Sequence, residues 1–183
     1  MYRTGLRRVG AAIVDSIVMW PFSLFVVNLN GSVDDAVLRI YGYFIVALPV
    51  AYSIIGHYKY GMTIGKWVAR IKVIDVSETK NITLRQAVLR DIVFLVLTVV
   101  DIITDILLHS TWQDGDFPEY ISWISFVANS AWLLWTLLEI ISMLTNRKRR
   151  AIHDFIAGTV VVQIDEFEKA KLLNESFKNE VGL

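Results

Sequence analysis

The sequence predicts an all-α polytopic membrane protein with four transmembrane helices and a small cytoplasmic two-stranded β element. Composition is the first observation behind this prediction, because 55% of the 183 residues are hydrophobic, only 20% are charged and the mean hydropathy is +0.50. A soluble domain of this length is rarely so apolar. The other two observations are four long apolar stretches and the concentration of basic residues in alternate connections between them.

Each apolar stretch is close to the length that crosses a bilayer. A transmembrane helix needs roughly 20 apolar residues to span a hydrocarbon core of about 30 Å. The predicted spans are residues 9–29, 40–56, 92–108 and 120–145. Pro21 is expected to kink the first span, and residues 28–32 are expected to form the turn after it.

The basic residues predict the side of the membrane on which each connection lies. They precede the first span, fill the connection between the second and third, and follow the fourth. The connections at 30–38 and 109–119 contain acidic residues and no Lys or Arg. By the positive-inside rule, both termini and the long central connection are cytoplasmic. The predicted location is the inner membrane of a bacterial cell.

Two β-prone segments and a polar tail complete the predicted cytoplasmic side. Residues 71–76 and 159–164 are rich in Val and Ile, and we expect them to pair because isolated strands leave backbone groups unsatisfied. Thr83 and Gln86 fit a capping box that starts the helix leading into the third span. Residues 1–164 are predicted to form the transmembrane domain, and residues 165–183 a polar tail that is helical over most of its length.

Three short motifs lie near the ends of the predicted spans: residues 2–15, residues 61–75 followed by Arg90, and residues 149–162. The residues that carry them are Arg8, Asp15, Gly65, Lys66, Arg90, His153 and Asp154. Taken in order, these motifs resemble the RDD family of small integral membrane proteins, over residues 2–164. Arg70 departs from the family pattern, in which Gly is common. The resemblance implies a membrane protein associated with transport, without fixing a substrate. Gly65, Lys66, His153 and Asp154 are expected to form a structural motif.

Four carboxylates lie inside the predicted spans, those of Asp15, Asp101, Asp105 and Glu139. A charged side chain in hydrocarbon costs about 2.5–3.5 kcal/mol on insertion scales, so each is expected to face protein or water. A rise of ~1.5 Å per residue puts Asp15, Asp101 and Glu139 in the inner half of the bilayer, where they are able to converge. These four acids form the candidate ion or proton pathway.

The third span carries a pattern that favours transport. Asp101, Asp105 and His109 are spaced four residues apart and follow one helix face toward the outside. Clustered carboxylates inside a membrane can exchange a proton for a cation. The leading hypothesis is therefore a proton-coupled cation transporter, with the lipid bilayer, protons and monovalent cations as partners. Because four spans make a thin bundle, this hypothesis also implies a homo-oligomer.

A structural role for the same charges is the alternative hypothesis. Arg8 and Arg90 lie at the cytoplasmic ends of the first and third spans and are candidate charge partners of Asp15. Such pairs would lock helices together in a non-transporting membrane interaction or assembly protein, whose cytoplasmic side docks a partner. The two hypotheses differ in whether the acids line hydrated space or are sealed by basic side chains.

Several other classes of protein are disfavoured by the sequence. The absence of cysteine excludes disulfides, thiol catalysis and Cys-based metal sites. Residues 61–67 only superficially match a phosphate-binding loop, because the spacing is one residue short and no Ser or Thr follows Lys66. His153 and Asp154 lack further His partners, so we expect a structural role rather than a metal site. No nucleophile–base pair is apparent, and we expect no enzyme activity, no cofactor and no nucleic-acid partner.

Overall fold

The computed structural model describes residues 2–29, 34–111 and 119–181. Within these ranges the chain is mostly helical, with one small sheet. The elements are α1 (Gly5–Leu29), α2 (Asp35–Tyr60), α3 (Ile64–Val68), β1 (Ile71–Asp75), α4 (Leu84–Thr111), α5 (Glu119–Thr145), α6 (Ile152–Ala157), β2 (Thr159–Gln163) and α7 (Ile164–Val181). The four predicted spans fall inside α1, α2, α4 and α5. The helix predicted in the tail is α7, and most of the turn predicted at 28–32 lies outside the described residues.

Two of the described helices are long and apolar enough to cross a membrane. They are α2 and residues 122–145 of α5, each with a mean hydropathy of 1.6 over its most apolar window. Almost none of either window is buried against the rest of the protein, unlike the core helix of a soluble domain. The apolar side chains of α1 are also uncovered, with Ile17 61% and Trp20 63% exposed. Membrane crossing by all four long helices stays a prediction.

The β1–β2 sheet forms the buried centre of the protein. The strands are antiparallel, with Ile71 opposite Gln163 and Asp75 opposite Thr159, so the predicted strand pair is confirmed. One sheet face, with Val73, packs on residues of α1 and α4, and the other contacts Tyr2 and Phe167. Because both faces are covered, β2 carries three consecutive buried Val residues, and Ile71, Val73 and Ile74 of β1 are buried as well.

The predicted capping box starts α4 and also ties this helix to the sheet. The Thr83 N–H donates to Gln86 Oε1 at 2.9 Å, and the Gln86 N–H donates to Thr83 Oγ1 at 3.3 Å. The Gln86 side-chain amide then donates to Asp75 Oδ2 at 2.6 Å and to the Gly158 carbonyl at 3.2 Å. The start of α4 is thereby fixed to the ends of both strands.

Arg70, which departs from the family pattern, lies in the left-handed backbone region. Its φ is +54°, a conformation that favours glycine and costs another residue about 1–2 kcal/mol. The Arg70 side chain is held by Asp165 at the start of α7, with its Nη2 2.6 Å from Oδ1. This exposed ion pair offsets part of the backbone cost.

Gly65 allows α3 to lie directly against α1. A Cβ atom at this position would lie 2.0 Å from the Ala11 carbonyl oxygen and 2.7 Å from Asp15 Cγ. Since both atoms belong to a packed helix, no side chain fits between α1 and α3. The short helix therefore depends on glycine here.

We predict that Gly65→Ala lowers the thermal stability of the purified protein. Forcing a methyl group into a closed contact typically costs about 1–3 kcal/mol, and the backbone oxygen of Ala11 has little room to move. Gly10→Ala is the matched control, because nothing lies within 4 Å of its added Cβ. That variant is expected to be neutral or slightly stabilised, since Ala favours helix over Gly. Equal melting temperatures for the two variants would contradict the assigned contact.

Candidate functional site

Buried polar residues collect where the long helices meet the sheet, and they form three clusters. The Asp154 cluster contains Arg8, Arg90, Asp154 and Thr159; the Asp15 cluster contains Asp15, Tyr52, Thr63 and Gly65; the Lys66 cluster contains Ser53, His57, Lys66 and Asp91. A cavity adjoins the last two clusters.

Asp154, in α6, is completely buried between two arginines. Its Oδ2 accepts from Arg8 Nη1 at 2.7 Å, and its Oδ1 accepts from Arg90 Nη1 and from the Thr159 hydroxyl. The Ala151 N–H donates to Oδ2 at 3.0 Å. Burial alone would raise the pKa of Asp154, but its interactions with Arg90, His153 and Arg8 outweigh it and hold the pKa well below its usual range. The carboxylate is therefore a fixed counter-charge.

The contacts of the Asp154 cluster differ from the charge pairs predicted for Asp15. The pairing of Asp15 with Arg8 or Arg90 is wrong, because both guanidinium groups contact Asp154 instead. The short helix α6 folds back under the bundle and brings its one buried acid between the starts of α1 and α4. Arg150 also contacts this motif through the backbone, since its Nη2 donates to the Asp154 carbonyl at 2.9 Å.

Glu139, in α5, also contacts α6. Its Oε1 accepts from the His153 N–H at 2.9 Å, and its Oε2 lies 2.6 Å from His153 Nδ1. The structure thus places Glu139 beside His153 and outside the cavity lining that contains Asp15 and Asp101. The predicted meeting of Asp15, Asp101 and Glu139 is wrong for Glu139, because the backbone of α6 occupies its carboxylate.

Asp15 is held by three neutral donors. Its Oδ1 accepts from the Tyr52 hydroxyl at 2.7 Å and from the Gly65 N–H at 2.8 Å. Its Oδ2 accepts from the Thr63 hydroxyl at 2.7 Å. These donors come from α2 and from the start of α3, so the carboxylate joins three helices. This contact also explains the close approach of Gly65 to α1.

The Lys66 cluster joins α2, α3 and α4 through a chain of short contacts. Lys66 Nζ lies 2.7 Å from His57 Nε2, and His57 Nδ1 lies 3.2 Å from Ser53 Oγ. The Ser53 hydroxyl donates to Asp91 Oδ2 at 2.8 Å. Burial, together with the charge of Arg90, lowers the pKa of Lys66 to about 7.

The sequence did not predict a role for His57 or Asp91. His57 falls near the end of an apolar span and Asp91 directly follows Arg90, so neither belongs to a motif. The sequence signal for the contact between His57 and Lys66 is Gly61. A turn at this glycine reverses the chain and brings the residues before and after it together. Only the register of that turn, with Gly61 at φ +71°, sets the contact between His57 and Lys66.

A cavity of about 510 Å³ lies between α1, α2 and α4. Its charged lining residues are Asp15, Lys66, Asp91 and Asp101. A second cavity, of about 400 Å³, is lined by Arg39, Tyr43 and Asp105, and Asp101 also lines this one. Asp105 accepts from the Tyr43 hydroxyl at 2.8 Å. Asp101 and Asp105 therefore share one face of α4, as predicted, whereas the side chain of His109 lies outside the described residues.

Comparison with known proteins identifies one family. The RDD family model matches residues 2–158, a range that contains every residue of the three clusters except Thr159. No curated protein and no solved structure matches the chain.

We predict that Asp154→Asn strongly destabilises the protein, by about 3–5 kcal/mol, because it leaves two buried arginines without a counter-charge. Thermal unfolding in detergent measures this effect. The matched control is Asp165→Asn, which removes an exposed ion pair and is expected to cost at most about 1 kcal/mol.

The stability difference between Asp154→Asn and the parent protein is expected to shrink as the pH falls. The pKa of Asp154 is lower in the folded state, so its stabilisation is present above its ordinary value of 3.8 and is lost as the pH falls toward the folded value. Asp154→Asn should therefore lose less stability than the parent below pH 4. Equal costs for Asp154→Asn and Asp165→Asn would contradict the role of the cluster.

Proposed function

The chain belongs to the RDD family, and we propose on this premise that it exchanges protons for monovalent cations across a membrane. In this proposal α1, α2, α4 and α5 cross the bilayer, and the two cavities that share Asp101 form the pathway. The protein acts without a cofactor and assembles as a homo-oligomer, because four helices enclose little space by themselves.

The position of Asp101 is the observation that carries this proposal. Asp101 is exposed to both cavities, and among residues 2–29, 34–111 and 119–181 it has no hydrogen bond or ion pair. By contrast, the oxygens of Asp15 and Asp154 are occupied by donors. A carboxylate whose oxygens are not taken up by protein donors is available to bind a proton or a cation in turn.

Asp105 extends the pathway by one helical turn. It follows Asp101 by four residues, a rise of about 6 Å along α4. The Tyr43 hydroxyl donates to it at 2.8 Å, and Arg39 lines the same cavity. A cation leaving Asp101 thus meets a second carboxylate in a polar environment.

The proposed orientation puts both termini and the β1–β2 sheet in the cytoplasm. The clustering of Arg8, Arg90 and Lys148 at the sheet end of the bundle supports it, since basic residues favour the cytoplasmic side. A reporter fused after Lys80 or at the C-terminus is expected to be cytoplasmic, and one inserted after Asp114 external. A cytoplasmic signal at Asp114 would contradict this orientation.

A non-transporting assembly protein is the second candidate function. It is favoured by α7, which lies beside the sheet and leaves Leu172 65% and Leu173 70% exposed. Two adjacent exposed leucines on a helix are suited to contact a partner protein. In this candidate the buried charges only hold the helices together.

Asp101→Asn is predicted to abolish proton–cation exchange in proteoliposomes that contain only this protein. Asparagine preserves the shape of the side chain but cannot titrate, so the variant separates charge from packing. Its amount and melting temperature should match those of the parent, because Asp101 has no partner to lose among the described residues. The readout is a pH-sensitive dye inside the vesicles after addition of external Na⁺ or K⁺.

Asp34→Asn is the matched control, because Asp34 is exposed, makes no capping hydrogen bond to α2 and lies outside both cavities. It should retain parental exchange. Exchange that survives in the Asp101→Asn, Asp105→Asn double variant at normal protein levels would refute the transport proposal and favour the assembly protein.

A further inference from the structure

We propose that Lys66 is the proton-releasing group of this exchange: its ammonium occupies the cavity as a built-in cation and loses a proton when a transported cation takes its place. This inference rests on the proposed transport function. It assigns the proton side of the exchange to a lysine that the sequence analysis placed in a purely structural motif.

Among the charged residues around the cavity, Lys66 is the one suited to release the proton. It is the basic residue among those that line the 510 Å³ cavity, which also contains Asp15, Asp91 and Asp101. The charged and titratable groups that face Lys66 are Arg8 and Asp15 from α1, His57 from α2, and Arg90 and Asp91 from α4. Because Arg8 and Arg90 are paired with Asp154, the Lys66 ammonium is the cation that balances the cavity carboxylates.

The contact with His57 suits a group that changes its protonation state in place. Lys66 Nζ lies 2.7 Å from His57 Nε2, which accepts this hydrogen bond when the imidazole is neutral and carries its proton on Nδ1. That Nδ1 faces Ser53 Oγ at 3.2 Å, and Asp91 lies beyond it. Both an ammonium and a neutral amine carry N–H groups, so Lys66 can donate to Nε2 before and after it releases a proton.

The free energy of releasing that proton is small near neutral pH. Burial and the charge of Arg90 lower the pKa of Lys66 to about 7, while Asp91 and Asp15 act in the opposite direction. An exposed lysine, with an ordinary pKa of 10.5, would keep its proton. In this site, a cation that reaches the cavity carboxylates displaces the proton of Lys66 at little cost near neutral pH.

The step conserves charge in the site. An ammonium and an incoming monovalent cation become a neutral amine and a bound cation, and one proton passes through the cavity to bulk water. The N–H bond of Lys66 breaks, and its electron pair stays on Nζ. The cavity therefore holds one mobile positive charge before and after the exchange.

Binding of ²²Na⁺ and ⁸⁶Rb⁺ to the purified full-length protein, measured between pH 5.5 and 8.5, tests this inference. For the parent, we expect the apparent affinity to rise about tenfold per pH unit below pH 7 and to level off above it, because one proton is released per cation bound. Lys66→Gln should bind with an affinity that changes less than twofold over this range. Lys80→Gln, which alters an exposed lysine remote from the cavity lining, is the matched control and should keep the parental dependence.

Lys66→Arg provides a second test if Lys66→Gln folds poorly. Its guanidinium stays charged throughout this pH range, so cation binding and exchange should be reduced at least tenfold at every pH. Parental pH dependence in either Lys66 variant would overturn the role of Lys66 while leaving transport intact. Absence of both binding and exchange in the parent would refute the transport proposal itself, and the inference with it.

Discussion

The rest of the structure depends on the ion cluster of Arg8, Asp154 and Arg90. One buried carboxylate pairs with two arginines and joins the start of α1, the start of α4 and the short helix α6. Leaving any of these charges unpaired would cost several kcal/mol, a large fraction of the stability of a small domain. Beyond these fixed ends the long helices also pack on one another, α2 on α4 above all. Many of their apolar side chains stay uncovered, as in a protein surrounded by lipid.

The acids of the spans divide into two groups by what their oxygens contact. Asp15 and Glu139 are occupied by donors from α2, α3 and α6, and they hold elements together. Asp101 faces two cavities instead. The two hypotheses raised by the sequence thus apply to different residues: the structural role fits Asp15, Glu139 and Asp154, and the proposed exchange uses Asp101 with Lys66.

Local patterns in the sequence predicted the elements, whereas the choice of charge partners required the tertiary fold. Apolar runs predicted the long helices, β-branched runs predicted the strand pair, and Thr83 with Gln86 predicted the start of α4, because each signal lies within a few residues. The partner of Arg8 is 146 residues away in α6, where no periodicity indicates it. His57 and Lys66 meet only because the chain reverses at Gly61, and that geometry cannot be read from composition. The resemblance to the RDD family identified the residues of the Asp154 cluster without indicating which of them pair.

The proposed pathway requires that water reaches Asp101, and this can be measured directly. The chain contains no cysteine, so a single Asp101→Cys substitution can be followed with a charged, water-soluble thiol reagent on protein in membranes. Ile103→Cys, two residues along α4 and 50% exposed at the protein surface, reports the side of α4 that the proposal expects to face lipid. A hydrated pathway predicts rapid modification at position 101 and little at position 103, because thiols react as thiolates and these form in water. Equal protection of both positions would mean that Asp101 is sealed from water, and would contradict a pathway through the two cavities.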